Sequence, residues 1–185
     1  MCDKLSFRCG GKSEAEKQAA LTVAAAGSTV PLLGVGRIIL MGHNADRLKL
    51  GQKFGATDII SNRDDAQAIA EAVQLTQGGA ESVAECVGPS FDLAIGVARP
   101  GGVVGFVGVP HVTEAIDLGR MFSHNISLRG GVAPVRAYIP DLMDQVLAEK
   151  IDPSPVLEMS VDLEGVPDGF AAMDSRQKIK VMVRP

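Results

Sequence analysis

Tryptophan is missing from this sequence, tyrosine occurs once, and cysteine occurs three times in 185 residues. So few stacking rings leave little for bases to lie on, and a net charge of −4 gives no basic stripe to follow a phosphate backbone. Nucleic acid is therefore not an expected partner. Cys2, Cys9 and Cys86 form no CxxC pair and no even-numbered framework, which argues against a disulfide-stapled fold and for a reducing, cytoplasmic setting. The sequence also lacks internal repeats and low-complexity tracts. One uncharged stretch, residues 18–36, follows Lys12 and Lys17. Its apolar part is mostly alanine and starts late, and Pro31 with three glycines makes it a poor signal peptide and a poor membrane span. No membrane partner is expected.

What the sequence does contain is a globular composition, 46% hydrophobic and 22% charged, and enough residues for one domain with an appendage. Its clearest stretch runs from Glu81 to Pro110. An apolar run, Val83 to Val87, ends at Gly88. Phe91, Ala94, Ile95 and Ala98 then share one helical face, and Arg99-Pro100-Gly101-Gly102 stops that helix. A second strand-like run follows from Val103 to Val109. Two strands joined through a helix make a parallel, right-handed βαβ unit. Strands apolar on both faces belong in a sheet covered by helices on both sides. Ligands bind at the carboxyl ends of such strands, so Gly88 and the Gly108-Val109-Pro110 corner are the first candidates for a site.

Elsewhere the same alternation is visible. Gly11-Lys12-Ser13 lacks the earlier glycine and the preceding strand of a phosphate loop; it reads as a turn, with Ser13 and Glu16 as a capping box. Glu14 to Ala26 reads as an alanine-rich helix, and Thr29 to Leu33 as an edge strand at best, because of Pro31. Arg37 to Met41 is a strand. Asn44 caps a helix over Ala45 to Phe54, closed by Gly55. Ile59 and Ile60 begin a strand, and Asp64 or Asp65 opens a helix with Ala66, Ile69, Ala70 and Val73 on one face. Met121 to Asn125 is a short helix and Ile126 to Leu128 a strand ending at Gly130-Gly131. Val135 to Glu149 is a helix with Ile139, Leu142, Met143 and Val146 along one side, and Pro140 near its first turn is a second place for it to start. Leu157 to Val161 and Ile179 to Val183 are strands around a helix near Val166 to Met173.

The expected class is α/β: a doubly wound parallel, Rossmann-like sheet, incomplete at its first βα unit, with a small C-terminal α+β appendage. The expected divisions are an N-terminal remnant over 1–36, a cofactor-type domain over 37–133 and a C-terminal segment over 134–185.

The phrases RIILMG, DRLKLGQKFGATDII, AECVG, ARPGGVVGFVGVP and VPDGFAAMDSRQKIKVMVRP closely resemble the zinc-dependent alcohol dehydrogenases of the medium-chain dehydrogenase/reductase family, over about residues 37–185. That resemblance implies hydride transfer between a small alcohol or carbonyl substrate and NADP or NAD, with zinc polarising the substrate oxygen. It implies that residues after about Pro134 return to the catalytic domain, and that a homo-oligomer can form. It also implies cofactor contacts at Gly88, Val107, Gly108 and Val109 on the nicotinamide side, at Gly130 and Gly131 near the ring, and at Lys180 near the pyrophosphate. Gly42 stands where NAD-using members carry an acidic residue for the ribose; with His43 and Arg47 nearby, its side-chain-free position favours the 2′-phosphate of NADP.

Departures from the family pattern are as informative. Cys2, Cys9, His43, His111 and His124 match no zinc-ligand position, so no metal site and no catalytic residue is assigned. Gly27-Ser28-Thr29-Val30 resembles the start of the family's first strand, and no GxGxxG turn separates it from Arg37; Gly34-Val35-Gly36 reads as a plain turn. Glu85 and Cys86 lie beside the crevice, Cys86 as a small core residue. The expected function is thus an alcohol dehydrogenase-like oxidoreductase in truncated form, with impaired or no catalysis. The alternative is a residual nucleotide-binding or oligomer-interaction module, the latter using a sheet edge exposed where the first strand is damaged.

Overall fold

The structure, a computed structural model, describes residues 20–23, 35–88, 90–108, 116–132 and 134–185. The chain forms two compact units, residues 1–134 and residues 135–185. The first holds six parallel strands: β1 (Ala20–Val23), β2 (Arg37–Met41), β3 (Asp58–Ile60), β4 (Ala80–Glu85), β5 (Ala98–Phe106) and β6 (Ser127–Gly130). Their order across the sheet is β3-β2-β1-β4-β5-β6, the doubly wound arrangement in which the direction of winding reverses between β1 and β4.

That order corrects the sequence reading at its first unit. Ala20 to Val23 is a strand, not part of an alanine-rich helix, and it lies between β2 and β4, with Leu21 beside both Ile38 and Ser82. Alanine is the best helix former, but intrinsic propensity is a weak preference, and hydrogen bonding to two flanking strands overrides it. The sheet edges are consequently β3 and β6, not a damaged first strand. Thr29–Leu33, the turn at residues 11–13 and the Ser13–Glu16 capping box lie outside the described residues.

Both faces of the sheet are covered, and β2 shows how. Ile39 and Met41 belong to the main core with Ile60, Val83, Ile95 and Val104. Ile38 packs instead with Val35 and Ala56, and Leu40 meets α1 (Ala45–Lys53), where a Cβ on Gly51 would come within 2.0 Å of the Leu40 Cδ2. Residues i and i+2 share a face of a strand, so an unbroken apolar run serves two layers.

Local chemistry sets the helix ends. The Asn44 side chain accepts from the amides of Asp46 and Arg47 at the start of α1, and Asp64 accepts from Gln67 N at the start of α2 (Asp65–Leu75). The buried face of α2 carries Ala68 and Ala72 with half-buried Ile69 and Leu75; Ala66 and Ala70 are exposed. The expected face was therefore rotated by about one residue. Helix α3 (Phe91–Val97) buries Phe91, Ala94, Ile95, Gly96 and Val97. It stops before Arg99-Pro100-Gly101-Gly102, because Ala98 is already extended and paired with Ala80. The residue before a proline resists the helical conformation. Those four residues form an irregularity inside β5, between the Ala80–Ala98 and Ser82–Val103 pairs. Helix α4 (Leu118–His124) begins earlier than expected because the Asp117 side chain accepts from Arg120 N.

In the second unit, α5 (Val135–Leu147) contains Pro140 rather than starting there. Leu142 and Val146 are half-buried, while Ile139 and Met143 are exposed. Strands β7 (Leu157–Val161) and β8 (Lys180–Val183) pair in parallel around α6 (Val166–Asp174), with Gly169 packed against Val181. Among the described residues no helix is long and apolar enough to cross a membrane.

Candidate functional site

The carboxyl ends of β4 and β5 meet through bare backbone. Gly88 has φ +107°, a left-handed value that side chains rarely adopt. A Cβ on Gly108 would fall 2.4 Å from Gly88 N and 2.8 Å from Val87 N, so only glycine fits there. Val107 N donates to the Glu85 carbonyl at 2.9 Å, and Gly108 N to the same oxygen at 3.4 Å. On the far side of β5, Gly131 N donates to Phe106 O at 3.2 Å, and a Cβ on Gly130 would overlap the Phe106 oxygen and ring. Phe106 is in turn held edge-on to Phe91, with ring centroids 5.2 Å apart. The structure thus brings Gly88, Val107, Gly108, Gly130 and Gly131 to one shelf, with Val107 56% exposed on it.

Under that shelf lies a group whose role the sequence did not reveal. Glu85, 2% exposed, is the one buried charged residue among the described residues. Its Oε1 accepts from Val87 N at 2.9 Å and from Gly88 N at 2.8 Å, and its Oε2 from Gly88 N at 3.0 Å. A charged residue ending an apolar strand three positions before a glycine was the available signal.

Two strand positions away, across β1, Gly42 follows β2 and donates its N–H to Ile60 O at 3.0 Å. Its missing Cβ would stand 3.6 Å from the Leu48 Cδ2, an ordinary contact. An acidic residue would therefore fit, and glycine here is not a packing requirement. His43 and Arg47 are exposed beside it, and neither side chain has a polar partner among the described residues. Val109 lies outside the described residues; Lys180 is exposed at the start of β8 in the second unit.

A cleft of about 340 Å³ lies at the opposite end of the sheet, lined by Gly36, Arg37, Thr57, Asp58, Leu75, Thr76 and Gln77. Its charges are engaged with one another. Arg37 makes a bidentate pair with Asp58, both bonds 2.8 Å, and donates to the Leu75 carbonyl. The hydrogen bond from Arg37 holds the Asp58 carboxyl below its ordinary pKa, and the same bond raises that of the guanidinium. Strand β2 begins at this end, so Val35 and Gly36 before it do not stand where a phosphate turn belongs. We read the cleft as structural, because it offers no unsatisfied group at the carboxyl ends where sheet ligands bind.

Zinc does not fit the described residues. No three His, Cys, Asp or Glu side chains converge among them, and a protein zinc site takes three or four such ligands. His124 Nδ1 is engaged with Ser123 Oγ at 2.9 Å and Arg120 O at 3.1 Å. His111, Cys2 and Cys9 lie outside the described residues.

Comparison with known proteins agrees with this geometry. The chain is 25% identical over 179 residues to the "Uncharacterized zinc-type alcohol dehydrogenase-like protein AdhB" of Bacillus subtilis, covering 83% of the chain and 47% of that protein. It is 27% identical over 164 residues to the NADP-dependent isopropanol dehydrogenase of Thermoanaerobacter brockii, covering 83% and 46%. The chain spans about half the length of these curated relatives. Among solved structures, alcohol dehydrogenase TADH from Thermus sp. ATN1 matches 91% of this chain and 52% of its own, with a TM-score of 0.82 and 24% identity. A Sinorhizobium meliloti 1021 protein described as a zinc-binding dehydrogenase and solved with NADP matches 90% and 52%, with a TM-score of 0.76 and 24% identity. The family model for zinc-binding dehydrogenases matches residues 9–148. Since that match takes in all six strands of the sheet and continues through α5, the chain belongs to the zinc-binding dehydrogenase family.

Proposed function

We propose that the chain binds a nicotinamide dinucleotide across the carboxyl ends of β2, β4 and β5, with NADP preferred, as the cofactor-binding half of an alcohol dehydrogenase-type oxidoreductase. The observation that carries this reading is the contact of Gly88 with Gly108 next to the point where the winding reverses, since a dinucleotide crosses the crevice there. When bound, the cofactor supplies the hydride acceptor or donor for a small alcohol or carbonyl substrate. The chain's own residues bind and orient it. Val107 offers apolar surface on the shelf, with Gly88, Gly108, Gly130 and Gly131 keeping side chains out of the way. At the other end Gly42 presents no carboxylate to repel a 2′-phosphate, and His43 and Arg47 supply donors for it.

Turnover by this chain alone is expected to be impaired or lost. The support is the missing three-ligand cluster among the described residues. The sequence after Val23 also supports it: residues 24–29 hold one glycine, Gly27, where a GxGxxG turn would hold three. Calorimetric titration of the full chain should give NADP binding tighter than NAD, with Gly42→Asp reversing the order. No heat with either would end the reading. Incubation with NADP, added zinc and a panel of alcohols should give no zinc-dependent reduction, and clear turnover would overturn the impaired-catalysis part.

An oligomer-interaction role is the second reading, favoured by Leu118 and Phe122, 70% and 88% exposed at i and i+4 on α4. Sedimentation of a clean monomer at all concentrations would count against it.

A further inference from the structure

We propose that Glu85 is a positioning residue for the nicotinamide end of the site, fixing the gap between the carboxyl ends of β4 and β5; this rests on the dinucleotide reading above. Among the described residues, every other buried strand position carries an apolar residue. A buried carboxylate is costly unless hydrogen bonds replace its lost hydration. Here both oxygens accept backbone N–H groups of the turn, Oε1 from Val87 and Gly88 and Oε2 from Gly88. The same residue's carbonyl takes Val107 N and Gly108 N. One residue therefore ties the left-handed Gly88 with its side chain and the β5 terminus with its main chain. The two glycines that it holds are the pair whose approach excludes any Cβ.

An apolar residue would fill the same volume without the desolvation cost, but it would release the Val87 and Gly88 amides. The turn would then be free to take other conformations, and the shelf for the nicotinamide would lose its fixed edge. The Gly42 end is separated from Glu85 by β1 and the width of two strand spacings, roughly 10 Å. A ligand that engages only that end should be indifferent to Glu85.

The test compares NADPH with its 2′-phosphorylated adenosine fragment, 2′,5′-ADP, on the full-length chain and on Glu85→Gln. Glutamine can keep the oxygen that serves Val87 N and Gly88 N but puts an amide N–H₂ in place of Oε2, so it preserves size while removing the charge and the 3.0 Å bond from Gly88 N. The expected result is NADPH binding weakened about tenfold, the size of one charge-assisted hydrogen bond, with 2′,5′-ADP binding unchanged and faster amide exchange at Gly88, the amide that loses one of its two acceptor oxygens. Glu85→Asp, whose shorter side chain reaches only part of the turn, should lie between the two. Equal weakening of both ligands would mean a general structural role and overturn the proposal, as would unchanged binding of both. If wild type binds neither ligand, the dinucleotide reading fails and takes the proposal with it. If wild type binds both and the variants match it, only the role of Glu85 is lost.

Discussion

The two ends of the six-stranded sheet are held by different means. At the amino end, charged side chains pair in partly exposed positions: Arg37 with Asp58, and Arg99 with Glu81 at 2.7 Å. At the carboxyl end of β4 and β5 there is no ion pair among the described residues; backbone meets backbone at Gly88 and Gly108, over a single buried carboxylate. Long side chains can adjust, so the amino end tolerates change and carries only modest energy. Backbone contacts at 2.4 Å from a missing Cβ leave no such freedom, and they keep Gly88 and Gly108 free of side chains at the end of the sheet where ligands bind. The difference separates what holds the sheet from what the sheet presents.

The comparison is most easily broken at Gly108. Gly108→Val should cost about 3 kcal/mol in urea unfolding, because its side chain would enter the Gly88 backbone, and it should abolish dinucleotide binding. Gly42→Ala, facing only the Leu48 Cδ2 at 3.6 Å, should stay within about 1 kcal/mol of wild type. Equal costs at the two glycines would remove the distinction between them.

Asp58→Asn should cost about 1 kcal/mol at neutral pH and leave dinucleotide binding unchanged. The sign with pH follows from the lowered Asp58 pKa. The native state prefers the ionised form, so the stabilisation is complete above the unfolded carboxylate value near about 4. It is lost as pH falls through the lower native value. Unfolding curves of wild type and Asp58→Asn should therefore stay a constant distance apart from neutral pH down to about 5 and converge below about 4. A gap that widens on acidification would contradict the assignment.

The smallest effect is expected at Asn44, away from both ends' special contacts. Its side chain accepts from Asp46 N and Arg47 N, and Asn44→Ala should lower stability by about 1 kcal/mol or less. NADP affinity should hold unless the cap also fixes Arg47, so a parallel titration sharpens the role of that helix start.

Which features were legible follows from how local their causes are. Strand β2 and the caps at Asn44 and Asp64 could be read from a few neighbouring residues, and so could the parallel pair around α3. Strand β1 could not. Ala20 to Val23 looks helical beside its alanines, and only hydrogen bonding to β2 and β4, distant in sequence, makes it a strand. The α2 face was misplaced because alanines contribute little to a periodicity signal, and the packing of α3 against Ile69 selects the buried side. At the site, the glycines were visible as turn formers, but their mutual approach is a tertiary fact. Glu85 was noted beside the crevice without a role, since nothing in the sequence shows that its carboxylate turns back onto Gly88.

Amide hydrogen exchange with and without NADP tests the central claim most directly, because it reads both ends of the sheet in one experiment. The account predicts added protection at Val87, Gly88, Val107 and Gly108 and none at Arg37, Asp58 and Gln77. Protection confined to the amino-end cleft, with the carboxyl ends unchanged, would contradict it.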